Sequence, residues 1–179
     1  MRTDAPDPLQ LVAYVGLAEG FAQNLDSPGE RIPERERDWR RWWEYALHGE
    51  DPDDPFELAW DWLAPPEFAA LRDMPRAAGW CRTRWPAFRE EWSREGEPFV
   101  MRIAAVLDKV RVDRLVREWE DEAGQTAGPF VLAVYFVWGL GTYHREVYTD
   151  RLVLGEAYLG PRTASLLRSA LKARISHLA

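Results

Sequence analysis

The sequence predicts an all-α fold, a single-domain irregular helical bundle packed around one buried central helix. Three observations carry this prediction. Residues 128–141, Gly-Pro-Phe-Val-Leu-Ala-Val-Tyr-Phe-Val-Trp-Gly-Leu-Gly, contain no charged side chain and form the most continuously apolar stretch of the chain. Apolar residues on either side of it recur at helical spacing. Prolines fall repeatedly where a helix can begin. The apolar stretch is shorter than the roughly 20 residues a membrane span needs, so its expected place is the interior of a soluble core. Phe, Val, Tyr and Trp also suit a strand, and the alternative is an α+β fold with a hairpin over residues 129–154.

The first residues, up to Asp7, show no apolar pattern and read as a frayed lead-in. Asp7 then offers an N-cap with Pro8 at the first helical position, and Leu9, Val12, Ala13, Leu17 and Phe21 extend a helix to Asn24. Gly16 and Gly20 lie four apart on it and suggest a notch for another segment. After the turn signal at residues 26–29, Trp39, Trp42, Trp43, Ala46 and Leu47 mark the inward stripe of a second helix over residues 33–47. Glu34, Glu36 and Asp38 sit in its first turns, where negative charge meets the positive end of the helix dipole.

Residues 50–55 form an acidic, proline-punctuated loop whose spacing does not match a calcium-binding loop. Asp54 and Pro55 then start a short helix carrying Phe56, Ala59, Trp60 and Leu63 inward. From Pro65 onward each proline resets the helix, giving short segments over residues 67–73, around Trp80 to Trp85, and from Pro86 to Gly96. A further helix carries Val100, Ile103, Ala104 and Leu107. Asp113 caps another with Val116 and Trp119, closed by Gly124. The last helix begins at Thr163 and runs an apolar stripe through Leu167, Leu171 and Ile175. A seam between two subdomains is expected near residue 97.

At 179 residues the chain fits one domain, and Cys81 as the only cysteine rules out an intrachain disulfide. With no signal peptide recognisable, a reducing cytoplasm is the expected compartment. A net charge of −7 argues against broad binding to phosphate backbones or anionic membranes. Ten Trp stand in this one small domain, and each must serve packing, binding or both.

The residue types for catalysis gather at Tyr143, His144, Glu146, Tyr148, Asp150 and Arg151. There His144 with Glu146 or Asp150 could serve as general acid and base in a small hydrolase. Cys81 between Trp80 and Arg82 reads as inert filling. Three scattered histidines, His48, His144 and His177, give no metal-ligand spacing, and no cofactor motif is present. Arg35, Arg37, Arg40 and Arg41 interleave with Trp39, Trp42 and Trp43, the mixture that stacks and neutralises single-stranded nucleic acid. The stripe turns those indoles inward, however, and Trp and Arg equally mark protein-binding hot spots. The expected function is therefore protein–protein binding, as a regulator, an immunity-like inhibitor or an accessory subunit. Arg40, Arg41, Trp43 and Trp62 are the candidate binding residues. Catalysis and nucleic-acid binding are the rivals.

Overall fold

A computed structural model of the chain describes residues 2–4, 7–25, 32–48, 68, 71–130, 132–147 and 150–178. The chain is helix-rich, but it is not all-α. The uncharged stretch expected as a central helix forms strand β2 (Ala133–Val137), buried on both faces. It lies in a four-stranded sheet with β1 (Arg2–Asp4), β3 (His144–Val147) and β4 (Arg151–Gly155), in the order β1-β2-β4-β3. Strands β1, β2 and β4 run parallel, with Ala133 opposite both Arg2 and Arg151; β3 runs antiparallel at the edge. All-round apolarity is shared by a buried helix and by a central strand covered on both faces, and here the β-branched and aromatic residues decide for the strand. The alternative α+β reading fits in part. A hairpin does form, but it joins β3 to β4, and β4 inserts in parallel beside β2.

Successive side chains of β2 point to opposite faces, and each face builds its own core. Ala133, Tyr135 and Val137, with Val153 of β4, join the first core. Val134 and Phe136, with Leu152 and Leu154, join the second. The first is covered by α1 (Asp7–Ala18), α2 (Glu34–His48) and the N-terminal half of α3 (Pro75–Val110). The second is covered by the C-terminal half of α3, with α4 (Val112–Ala123) and α5 (Arg162–Leu178). Trp92 packs against both cores and meets Trp138, just past the end of β2, at a ring separation of 6.2 Å. There α3 passes from one side of the sheet to the other.

Helix α3 corrects several sequence expectations together. Pro86 and Pro98 lie inside a single 36-residue helix instead of starting new ones, and the expected seam near residue 97 falls within it. Each proline removes one N–H and costs about 3 kcal/mol in an ideal helix interior. Both prolines are exposed, as are Arg82 and Arg94, whose carbonyls lose their partners, so water can satisfy them. Meanwhile Phe88 and Phe99, two and one residues beyond, are fully buried and fix the helix to the two cores.

Helix α2 follows the sequence: Trp39, Trp42, Trp43, Ala46 and Leu47 are its buried face. Helix α1 ends at Ala18, short of the expected Asn24. Gly20 at φ +78° is not a packing notch but the left-handed residue that terminates it. Its N–H bonds the Leu17 carbonyl at 3.2 Å and that of Phe21 bonds the Gly16 carbonyl at 2.7 Å, satisfying carbonyls that the helix end leaves open. Gly16 is a notch, and it receives the Trp39 indole. A Cβ there would fall 2.5 Å from Trp39 Cε2 and 2.9 Å from Nε1. The Trp39 indole donates to the Val12 carbonyl at 2.9 Å and stacks on Trp43 at 6.0 Å.

The expected frayed lead-in holds β1, a strand that supplies backbone pairing with little apolar signal. Where β1 ends, a side chain takes over its role. Gln10 of α1, buried, donates from Nε2 to the Phe136 carbonyl at 2.7 Å and accepts from the Trp138 N–H at 2.9 Å. The acidic loop at residues 50–55 and the helix expected over residues 55–63, with Trp60 and Trp62, lie outside the described residues, as do residues 67, 69 and 70 of the one expected over residues 67–73.

Candidate functional site

The proposed catalytic residues sit on or beside the hairpin β3–β4. A helix over this segment would have placed His144, Tyr148 and Arg151 on one face; the segment is extended, so that face does not form, and Tyr148 lies outside the described residues. His144 and Glu146, two apart on an edge strand, both face solvent. His144 pairs with Leu154, whereas Asp150 precedes β4 at the other end of the hairpin, four residues or about 13 Å away along the strand. The Asp150 carbonyl accepts from the Ala133 N–H at 2.7 Å, which ties that turn to β2. The partner that His144 does have is Tyr158, with Oη 3.3 Å from Nδ1 and the rings edge to face. These three residues are not brought together.

The residues between them on the opposite side of β3 form a denser polar group, and it fastens α2 to the sheet. Arg145 grips both carboxylate oxygens of Glu44, at 2.5 and 2.9 Å, and His48 lies 3.4 Å from the same carboxylate. Burial pushes the Glu44 carboxyl up, but Arg145 and His48 together outweigh it and hold the group below its ordinary range. Burial raises the Tyr143 phenol, while Trp43 Nε1, 3.4 Å from its oxygen, and Arg145 pull it back. Glu44 was legible in the sequence only as one polar residue of α2, because its partner lies 101 positions away.

The candidate binding residues part company. Trp43 is buried in the first core and turns its N–H to Tyr143. Arg40 is half-buried, with Nε and Nη2 on Glu36 at 3.1 and 2.9 Å. Arg41 is exposed, and Trp62 lies outside the described residues. With Trp39, Trp42 and Trp43 all at 1% exposure or less, the indoles of α2 are closed to a stacking base. Cys81 is fully buried, and burial raises its thiol far above the ordinary value against a smaller opposing pull from Arg82.

Two hollows border the arginine-rich end and the far end of α3. One of about 500 Å³ is lined by Glu19, Arg35, Arg76 and Arg84. Its charges satisfy one another: Arg35 and Arg84 hold Glu19 at 2.8 and 2.7 Å, and Arg76 holds Glu34 and Asp38 at 2.9 and 2.5 Å. The other, about 350 Å³, is largely apolar, between Val106 and Val110 of α3 and Leu159, Pro161 and Ala164, with Lys109 at its edge. Among the described residues no group of three His, Cys, Asp or Glu could hold a metal ion, and no helix is long and apolar enough to cross a membrane.

Among the described residues, the large apolar side chains most exposed to water lie on α3, ahead of Leu17 of α1 at 40%. Met101 is 63% exposed and Val100 47%, and Ala104 and Ala105 beside them are exposed as well. Sequence spacing had counted Val100 and Ala104 among inward residues; the inward face is Phe99, Ile103 and Val110. Beginning a helix at Pro98 hid the true phase, because a helix continuous from Pro75 puts Phe88, Phe99 and Ile103 on one side and Met101 opposite. No protein-family model matches the chain, and no curated protein and no solved structure matches it either.

Proposed function

We propose that this chain acts by protein–protein association, as a regulator, an immunity-like inhibitor or an accessory subunit, and that it docks through the outward face of α3. The observation that carries the reading is the side-by-side exposure of Val100 and Met101 on a helix otherwise lined with charge. Apolar side chains grouped in solvent mark interaction surfaces, and a methionine adapts its unbranched chain to whatever covers it. The buried indoles add nothing to this reading, since packing accounts for them. Catalysis by His144 with Glu146 or Asp150 draws less support, because the hairpin holds the carboxylate of Asp150 at its opposite end.

The test is a photo-activated cross-linking residue placed at Met101 and irradiated in living cells of the source organism. A discrete adduct is expected, and Val100→Glu should abolish it while the denaturation midpoint stays unchanged. A spectrum of adducts no different from that of the same residue placed at the exposed Arg72 would reject the reading.

A further inference from the structure

We propose that the outward face of α3 pairs with the same face of a second copy of this chain, antiparallel, with Met101 on the two-fold axis. The proposal rests on the reading of that face as a docking surface and names its occupant. Arg94, Glu97, Met101, Ala104 and Asp108 follow one another at spacings of three and four along α3, so they form a single stripe, and all five are exposed. The stripe is self-complementary. Arg94 lies seven residues before Met101 and Asp108 seven residues after it, each about 10 Å along the axis, so a two-fold at Met101 brings Arg94 of each copy onto Asp108 of the other.

Two further features favour this occupant. Neither Arg94 nor Asp108 is in an ion pair among the described residues, so each is open to an opposite charge on a partner. Arg111 is bonded to Asp113, and Asp108 exerts only a minor pull on it. Ala104 and Ala105 next to the axis are small enough to let two helix backbones approach, with Met101 filling the space between. Gly96, Phe99, Ile103 and Val110 face inward with Val106 and Leu107 packed part-way against the second core, which leaves the stripe from Arg94 to Asp108 exposed. One pair of helices over this length buries less than the roughly 1,200 Å² of a standard interface, so the dimer is weak, dissociating at about 10 to 100 μM.

Sedimentation equilibrium of the full chain between 1 μM and 1 mM tests the pairing. A monomer–dimer equilibrium is expected, weakened at least about 30-fold by Met101→Glu, which buries a charge twice at the axis. Arg94→Asp alone should weaken it about 10-fold by setting like charges across both ends, and Arg94→Asp with Asp108→Arg should restore it to within about 3-fold. Urea midpoints close to wild type show that the variants fold. A chain that stays monomeric to 1 mM, or a double variant no better than Arg94→Asp, overturns the pairing. Cross-linking from Met101 separates the two readings: a monomeric chain that yields an adduct with a different protein overturns homotypic pairing alone, and one that yields no adduct overturns the docking face as well.

Discussion

Gly16 offers the sharpest test of how the first core is assembled. Replacing it with Ala would ordinarily help a helix by about 1 kcal/mol. Here the new methyl group meets three atoms of the Trp39 indole, two of them at 2.5 and 2.9 Å. The indole cannot retreat: it is fully buried, stacked on Trp43 at 6.0 Å and bonded through Nε1 to the Val12 carbonyl. Overpacking of this kind costs about 1–3 kcal/mol. If the ring shifts enough to break its hydrogen bond, the orphaned buried indole N–H adds about 1–3 kcal/mol. After the helix gain is subtracted, Gly16→Ala should destabilise the protein by roughly 1–5 kcal/mol, a fall in Tm of about 3–15 °C for a chain of this length.

The control is Gly79→Ala on α3. A Cβ there meets nothing within 4 Å, so the same substitution should stabilise by about 0.5–1 kcal/mol. Urea denaturation followed by Trp fluorescence measures both. A second variant makes the cause specific: Trp39→Phe removes the larger ring, so Gly16→Ala should cost far less in that background than in the wild type. The account fails if Gly16→Ala is as stable as Gly79→Ala, or if the two substitutions at positions 16 and 39 simply add.

Three further outcomes follow from the geometry. Gln10→Leu leaves the Phe136 carbonyl and Trp138 N–H without the side chain that pairs them and should cost about 2–5 kcal/mol by urea denaturation, whereas a cost below about 1 kcal/mol would show that Gln10 does not stand in for the missing end of β1. Glu44 has its folded pKa depressed, so the stability it contributes with Arg145 is present above the unfolded carboxylate value and is lost as pH falls through the folded one. Both partners are more than a third exposed, so the wild type should exceed Arg145→Met by no more than about 1 kcal/mol at pH 7, with the difference shrinking below about pH 4; a difference constant down to pH 2.5 would contradict the pairing. Cys81, buried and with its thiol pushed up, should resist alkylation at pH 8 until urea unfolds the chain, and stoichiometric labelling in buffer within minutes would place the thiol at the surface instead.

The residues that spoke clearly in the sequence were those whose partners act locally. The stripe of α2 needs only its own 3.6-residue period, and α5 likewise shows Leu167, Leu171 and Ile175 on the face that ends up buried. Strand β2 was misread because apolarity on every side is what a central parallel strand and a buried helix have in common. Strand β1 was invisible because Arg2, Thr3 and Asp4 contribute backbone hydrogen bonds to a strand more than 120 residues away, and no local pattern encodes that. The prolines of α3 misled for a related reason: their cost is set locally, but the packing of Phe88 and Phe99 that outweighs it comes from the two cores. As for the site, Glu44 and Arg145 could not be paired from spacing, and the exposure of Met101 depended on the phase of a helix whose start lies 26 residues earlier.

The position of the proposed docking face would give association a measurable effect on folding. The turns of α3 that present Val100 and Met101 outward carry Phe99 and Ile103 inward to the second core, so a partner that clamps one face holds the other in place. Unfolding would destroy that face, and anything that binds only the folded chain stabilises it by mass action. At a free concentration ten times the dissociation constant the gain is about 1.4 kcal/mol, or roughly 3–6 °C in Tm. For homotypic pairing the ligand is the protein itself, so the wild-type Tm should rise between 1 μM and 1 mM while that of Met101→Glu rises far less. A wild-type Tm independent of concentration would mean that α3 buries nothing there in solution, and Met101 would then be an exposed methionine without a partner of its own kind.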